Sequence, residues 1–556
     1  MLGVPTYDIE TVSWKVPISV GFFDGVNYHE FIKENEDDDV IWKFLSFVGE
    51  NFPGIKIFAH CAASFDNKFV LAALCNRDEP LSLEAGLARL KWLGPDVTFM
   101  DSYLLIPMSL RKIGEMLEVG EKEQWDHNAQ LKPWEMGDKL TAFKEYQRTD
   151  CILLSKAIHR LSEELGMNFG VVPSISISTT AVKAFDKYFY GLNQIDSNEQ
   201  TESFIRAAIY GGRNEVYKRY GENINVYDIN SMYVSCYDVP IPIGKMRWIK
   251  GDLNRGTLIE ASVKVPTDLY IGPLPHHYRG RLVFPTGEFK DWWDARELKN
   301  AVDNFGVDVI IRRQLCADEV PVLKEFGSFV SKLRQTKLRR FWKIFGLSIC
   351  GKFGQGRWRD VIHHSSEIKD FTGYSPLDKD ENYFKTIQYV SGRNPYIKPA
   401  VAMRIRAEAR IRHLNLLSDA SKRGDVYYSD TDSIFTNATF PTSDEPGHLT
   451  NWEHAKRGYF IRPKLYGVVT KKSLIQRSAG YSDLKLNEND FKGLLEGTEI
   501  QTPYEELGGL ARILKTQEVE LLKRRRKVRA SVGYGRVSIG DNTRPLQLPE
   551  KVMPDA

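Results

Sequence analysis

Cysteine is scarce in this sequence, and the six present (Cys61, Cys75, Cys151, Cys236, Cys316, Cys350) include no Cys-x-x-Cys pair. That argues against a disulfide framework and a zinc site, and the thiols are expected to be reduced. Long apolar runs are missing as well: nothing approaches the ~18 to 20 consecutive apolar residues of a membrane helix. The opening MLGVPTYDIE has no charged region followed by an apolar core, so a cytoplasmic protein is expected. No internal repeat or low-complexity tract is evident. Net charge is nearly absent too, 76 Lys and Arg against 73 Asp and Glu for +3, which excludes only a histone-like binder. What remains is a soluble globular composition, 42% hydrophobic, 12% aromatic and 27% charged. At 556 residues the chain exceeds the ~250 to 300 a single core holds, so several domains are expected.

The near-zero charge hides a pattern. From Lys332 to Arg359 there are nine basic residues and no acid, and Lys523 to Arg529 reads KRRRKVR. Such stripes suit a protein that tracks a phosphate backbone or grips a triphosphate, although a solvated helix face is the commoner reading of any one run.

Periodicity predicts strands near Tyr7 to Thr11, Val20 to Phe23, Ile55 to His60 and Val97 to Met100, then a helix over Lys139 to Leu165. Gly166 to Ser178, with Gly, Pro and Ser, is read as a linker and domain boundary. Beyond it lie a strand at Val226 to Asp228, a Pro- and Gly-rich region from Val239 to Gly287, a helix over Ser331 to Phe345, and another over Ala400 to Leu417. The last leads into VYYSDTDSIF, a hairpin.

Two sets of carboxylates stand out. Asp8 and Glu10, two apart on a strand, share a face, and two crowded carboxylates call for a cation. Asp66 follows the Ile55 strand, and Asp150 lies one helical turn after Tyr146. Four such acids can gather two divalent cations ~3.5 to 4 Å apart for phosphodiester hydrolysis. In the second half, Asp430 and Asp432 sit at the hairpin apex and Asp228 ends a strand, with the basic helix between them in sequence. Asp228 and Asp432 as metal ligands, Asp430 completing the cluster, and Arg339 and Lys343 on one helical face meet the demands of phosphoryl transfer to a 3′ end. Tyr233 would pack under the sugar.

The order DIE, then FD, then YxxxD resembles the three motifs of DEDD 3′→5′ proofreading exonucleases. The matching positions are Asp8, Glu10, Asp66, Asp150 and Tyr146; Thr11, Phe65, Ser109 and Leu110 match single-strand contacts. The second set resembles motifs A, B and C of family B DNA polymerases, and more narrowly the protein-primed polymerases of bacteriophages and linear plasmids. Further pieces follow in order: Tyr210-Gly211-Gly212, like the YxGG motif; Leu449 to Glu453; Lys464 and Tyr466, like the KxY motif at the primer terminus; and Ser478-Ala479-Gly480. The resemblance implies Ser348 as a nucleotide contact, and two Mg²⁺ per active site, with Mn²⁺ as a substitute. As partners it implies primer–template DNA, dNTPs and a terminal priming protein. A monomer away from membranes, in the cytoplasm of a phage-infected or plasmid-bearing bacterial host, is expected. The sequence departs in motif B, where Leu347 and Cys350 replace the relatives' Asn and Tyr, in motif A at Val234, and at Cys61, where Asn is usual. Cys350 in the nascent base-pair pocket implies lower fidelity or weaker nucleotide affinity.

The expected fold is a multidomain α+β and α/β chain, an RNase H-like exonuclease followed by a right hand of palm, fingers and thumb with insertions. The ranges are 1–165 exonuclease, 166–225 linker and start of the palm, 226–238 palm with motif A, 239–325 an insertion resembling the terminal-protein-binding region, and 326–356 fingers. A second insertion at 357–398, associated with processivity and strand displacement, precedes palm at 399–497 and thumb at 498–556. The rival readings are an exonuclease whose polymerase half has decayed, motivated by Leu347 and Cys350, and a non-catalytic nucleic-acid-binding accessory protein, which leaves both carboxylate sets unexplained.

Overall fold

The computed structural model describes residues 3–126, 130–195, 199–378, 381–389, 396–481 and 484–548. Small parts of the expected linker (196–198), second insertion (379–380 and 390–395) and thumb (549–556) lie outside the described residues.

The N-terminal apolar runs form β1 (Thr6–Val12), β2 (Val16–Phe23), β3 (Tyr28–Ile32), α1 (Val40–Asn51), β4 (Lys56–Ala59), α2 (Asp66–Cys75), β5 (Leu81–Glu84), β6 (Arg89–Trp92), β7 (Val97–Asp101), α3 (Leu110–Leu117) and α4 (Lys139–Phe169). β1 pairs antiparallel with β2 and parallel with β4, and β4 runs parallel to β7. The sheet face carrying Tyr7, Ile9, Val20 and Phe22 closes over Phe44, Leu45 and Val48 of α1. Gly21 stands opposite Asp8 in the register, and a Cβ there would meet Gln147 Cγ at 3.0 Å and Cys151 Sγ at 3.2 Å. A glycine at that point lets α4 lie close to β2, beside Asp8.

The predicted linker is shorter than expected. α4 runs through Gly166 to Phe169 and ends at Gly170, φ +52°, and α5 (Ile177–Tyr188) begins soon after. A mid-helix glycine costs ~1 kcal/mol against alanine. Burial of Phe169 against Phe329, Trp342 and Phe345, with ring centroids 5.2 to 5.8 Å away, outweighs it. The segment therefore ties the first unit to the fingers.

The chain continues through α6 (Glu199–Ala207), β8 (Asn214–Val216), β9 (Tyr220–Ile229) and α7 (Met232–Ser235). The Pro- and Gly-rich region is largely strand: β10 (Ile241–Trp248), β11 (Leu258–Val265), the hairpin β12 (His276–Tyr278) and β13 (Arg281–Val283), and β14 (Thr286–Asp294). After α8 (Ala295–Phe305) comes β15 (Asp308–Val320), which lies between β10 and β11. The predicted single helix over Ser331 to Phe345 is two helices, α9 (Lys324–Leu333) and α10 (Arg339–Phe353). Leu333 and Leu338 are five apart, off helical spacing, and Thr336 Oγ1 donates to the Leu333 carbonyl at 2.7 Å, favouring a turn. β16 (Trp358–His364), β17 (Tyr374–Pro376) and β18 (Tyr383–Tyr389) extend the N-terminal sheet, because β16 pairs antiparallel with β5 and makes it ten-stranded.

α11 (Pro399–Arg423) runs across the second half, followed by β19 (Val426–Asp430), β20 (Ser433–Thr436), β21 (Leu449–Arg462), β22 (Leu465–Val469) and β23 (Leu474–Ser478). These build a seven-stranded sheet, β23-β22-β21-β9-β20-β19-β8, with β9 near its centre. Two buried arginines of α11 fix it to the neighbouring sheet: Arg404 pairs with Asp294 and Glu319, and Arg410 pairs with Glu297. Buried charges persist only when paired in this way.

The last elements are α12 (Glu488–Leu495), β24 (Ile500–Leu507), α13 (Leu510–Thr516), β25 (Leu521–Val528), β26 (Arg536–Ile539), β27 (Asn542–Pro545) and β28 (Gln547–Leu548). α13 buries Ile513 and Leu514 in the N-terminal core, and Lys68 of α2 donates to the Leu507 carbonyl at 3.3 Å. The KRRRKVR run begins on β25, opposite β24, whose Glu505 and Glu506 meet Lys523 and Arg524.

Candidate active sites

The five N-terminal residues singled out by sequence come together where β1, α2 and α4 meet. The backbone N–H of Ile9 donates to Asp66 Oδ1 at 2.9 Å, which joins α2 to β1 between the two acids of the strand. Gln147 Nε2 donates to the Asp8 carbonyl oxygen at 3.0 Å, which sets α4 against the same strand. The result is mutual repulsion in a poorly solvated place. Burial, then Asp150, pushes Asp8 up to about 7. Burial, then Asp8, holds both Glu10 and Asp66 well above the usual carboxylate range. Asp8 Oδ2 is buried without a hydrogen-bond partner.

Lys122 answers part of that charge, and sequence reasoning missed it. Its Nζ pairs with Asp150 Oδ2 and donates to the Tyr146 hydroxyl at 3.1 Å, lying 4.9 Å from the ring centroid. Nothing in the local run EKEQWD marks this lysine out from its neighbours. Of the expected single-strand contacts, Thr11 and Phe65 are half-buried beside the acids and Ser109 is exposed. Leu110 instead faces the core at 8% exposure, because it opens the apolar stripe of α3.

The second set lies at the centre of the seven-stranded sheet. Ser433 pairs with Asp228 in the register, and the Ile229 N–H donates to the Asp432 carbonyl at 2.9 Å, so Asp228 on β9 stands beside Asp432 in the turn that leads into β20. The turn between β19 and β20 is tight. Thr431 adopts φ +63° and its N–H donates to the Arg213 carbonyl at 2.7 Å. A Cβ on Gly212 would lie 2.7 Å from Thr431 Cγ2, so Gly212 is there for close approach. Burial, then Asp432, pushes Asp228 up to about 7, and Asp432 is raised chiefly by burial. Lys343 of α10 opposes both shifts.

Asp430 has its own cation. Lys464 Nζ meets its Oδ1 at 2.7 Å, and the Lys464 N–H donates to the Tyr428 hydroxyl at 2.9 Å. Each acid set thus has a lysine among its carboxylates. Among the described residues, no three His, Cys, Asp or Glu side chains stand at a spacing that would hold an ion. The donor sets are hard oxygens with an orphaned carboxylate oxygen at Asp8, a chemistry that fits Mg²⁺ or Mn²⁺.

Arg339 and Lys343 are both exposed on one face of α10, as the four-residue spacing predicts. Tyr233 is half-buried, next to Cys350 and Arg410. Cys350 itself is 3% exposed and packs in the core. The Ser348 hydroxyl donates to the Phe345 carbonyl at 2.8 Å. Tyr210 is fully buried, its hydroxyl donating to the Trp292 carbonyl at 2.9 Å, and Arg410 holds its carbonyl at 2.7 Å. Any contact by that motif with a strand falls to Gly211 and Gly212. Tyr466 is likewise core, its ring 5.1 Å from Tyr428 and 5.0 Å from Phe435. Arg334, in the break between α9 and α10, is 9% exposed and donates to Ser231 Oγ and, at 3.5 Å, to Asn230 Oδ1. The basic run pointed to this region without singling out that residue.

Residues 118–326 match a family described as DNA polymerase type B, organellar and viral. The chain is 26% identical to a probable DNA polymerase of Podospora anserina over 71% of its own length, and 22% identical to one of Ascobolus immersus over 87%. It spans 36% and 48% of those proteins' lengths. In three dimensions it superposes on Phi29 DNA polymerase complexed with primer-template DNA and incoming nucleotide substrates. That match has a TM-score of 0.70 at 14% identity, covering 96% of this chain and all of the other. The binary complex of the same polymerase matches with a TM-score of 0.70. The chain therefore has the fold of Phi29 DNA polymerase and, across residues 118–326, sequence similarity to organellar and viral type B DNA polymerases, in line with its resemblance to family B DNA polymerases.

Proposed function

We propose that the protein is a DNA-directed DNA polymerase with a 3′→5′ exonuclease in its N-terminal unit. The observation that carries the reading is the juxtaposition of Asp228, at the end of β9, and Asp432, in the β19–β20 turn whose carbonyl accepts from Ile229 N–H, with Arg339 and Lys343 exposed on α10. Divalent cations held by Asp228 and Asp432 would activate the primer 3′-hydroxyl and offset charge on the departing pyrophosphate. Lys343 and Arg339 neutralise the triphosphate, and Tyr233 packs under the deoxyribose where a 2′-hydroxyl would collide. In the N-terminal site Asp8, Glu10, Asp66 and Asp150 would hold the cations, while the Tyr146 hydroxyl, oriented by Lys122, positions the attacking water.

Strand displacement is part of the reading. A cavity of about 1310 Å³ lies between the N-terminal sheet, β16 included, and helices α5 and α10. Lys56, Arg89, Lys352 and Arg359 line it, against Glu84 and Asp360, a balance suited to one template strand. Priming from the hydroxyl of a terminal protein, held by the 239–325 region, follows from the resemblance. The test is a labelled primer on a template carrying a downstream blocking strand, with Mg²⁺. Extension through the block with dNTPs, and 3′ degradation without them, is expected. Degradation with no extension would sink the polymerase reading.

A further inference from the structure

The turn joining β1 to β2 carries a tryptophan where a small residue is expected. Ser13 and Trp14 both have positive φ, +54° and +62°, the φ signs of a type I′ turn in which Asn-Gly is the usual pair, and Lys15 N–H donates to the Val12 carbonyl at 3.3 Å within a three-residue loop. A bulky aromatic in the left-handed region is an outlier, and Trp14 is 60% exposed, so burial does not offset that cost. The ring is nonetheless held in place. Its centroid lies 6.1 Å from that of Phe65, edge-on at 90°, and Phe65 rests on buried Phe69 at 5.2 Å. Ser13 N–H also donates to Gln130 Oε1, which anchors the turn.

The position of this pair is informative. Phe65 immediately precedes Asp66, and Trp14 follows Glu10 by four residues, at most ~13 Å along an extended strand. That span covers several stacked bases at ~3.4 Å each. An aromatic face attracts any base irrespective of sequence, and it does so without drawing on the charge of the acids beside it.

We propose that Trp14, backed by Phe65, is a stacking platform for a base a few nucleotides from the 3′ end of single-stranded DNA entering the N-terminal acid site. The inference rests on the exonuclease reading and adds to it a substrate-binding residue. The experiment is steady-state 3′ degradation of single-stranded oligonucleotides by the full chain as wild type, Trp14→Ala and Trp14→Phe. Each substrate carries a base at every position or one abasic site among the first four nucleotides. Wild type should show KM raised about tenfold by an abasic site at one particular position, the low end of base–aromatic stacking. Trp14→Ala should raise KM about as much on the intact strand and become indifferent to that abasic site, Trp14→Phe should restore most of the loss, and kcat on a dinucleotide should stay unchanged. An intact-strand KM within twofold of wild type in Trp14→Ala, or an undiminished response to the abasic site, would overturn the stacking role alone. Wild type without any 3′ degradation would remove the exonuclease reading and the stacking role together.

Discussion

Comparison of the two acid sites shows the same problem solved on different supports. In the N-terminal site the carboxylates come from a strand and two helices set against it, with Gly21 and the Ile9–Asp66 hydrogen bond fixing their approach. In the C-terminal site they come from a hairpin and one adjoining strand, and the exposed Arg339 and Lys343 lie on α10, a separate helix. A site enclosed by its own core suits hydrolysis of an end delivered to it. A site open toward a helix suits a nucleotide that must enter on every cycle. Both gather more negative charge than their surroundings can solvate, and in each a lysine stands among the acids.

Breaking that symmetry should give the largest effects. Lys122→Met should lower 3′ degradation about a hundredfold and leave extension intact, since it removes the cation oriented on Tyr146 and Asp150. Single-turnover hydrolysis of a labelled oligonucleotide measures it. Tyr233→Val should change only the other site, raising the rate of ribonucleotide incorporation relative to deoxyribonucleotide about tenfold or more in primer extension.

A smaller effect separates the sites by pH. Asp8 and Asp228 are both pushed from 3.8 to about 7. A raised carboxyl pKa favours the folded state while the group is protonated, so that stabilisation is complete below about 4 and is lost as pH rises through about 7. Chelated protein should melt at a lower temperature at pH 8 than at pH 5. Mg²⁺, which binds the ionised acids, should restore most at the alkaline end. Asp8→Asn should flatten the N-terminal share of that slope. The least effect is expected of Cys350→Tyr. With Cys350 at 3% exposure the ring has no room, and the variant should lose ~1–3 kcal/mol of stability by overpacking without gaining fidelity. Thermal melting and misincorporation rates check it.

Much of this was legible in the sequence because strand alternation and the spacing of acids are local. Asp8 and Glu10 share a face by period two, and the DTD turn announced itself between apolar runs. What escaped was non-local. Lys122 looks like any solvated lysine until α4 brings Asp150 to it, and the joining of β16 to β5 crosses more than 250 residues. The burial of Tyr210, Tyr466 and Cys350 was equally invisible, since motif spacing says which residues are near a site and not which side of the sheet or helix they face. The linker and the single fingers helix were misread for a related reason: Phe169 found partners that justify extending a helix through Gly166, and the five-residue step from Leu333 to Leu338 broke another.

The central claim is that two separate active sites share one chain. It is tested most directly by measuring extension and 3′ degradation side by side, on one labelled primer–template, for Asp432→Ala and for Asp8→Ala combined with Asp66→Ala. Loss of extension with degradation retained in the first, and the reverse in the second, is the predicted result. Loss of both activities in either variant, with the fold intact by circular dichroism, would contradict it.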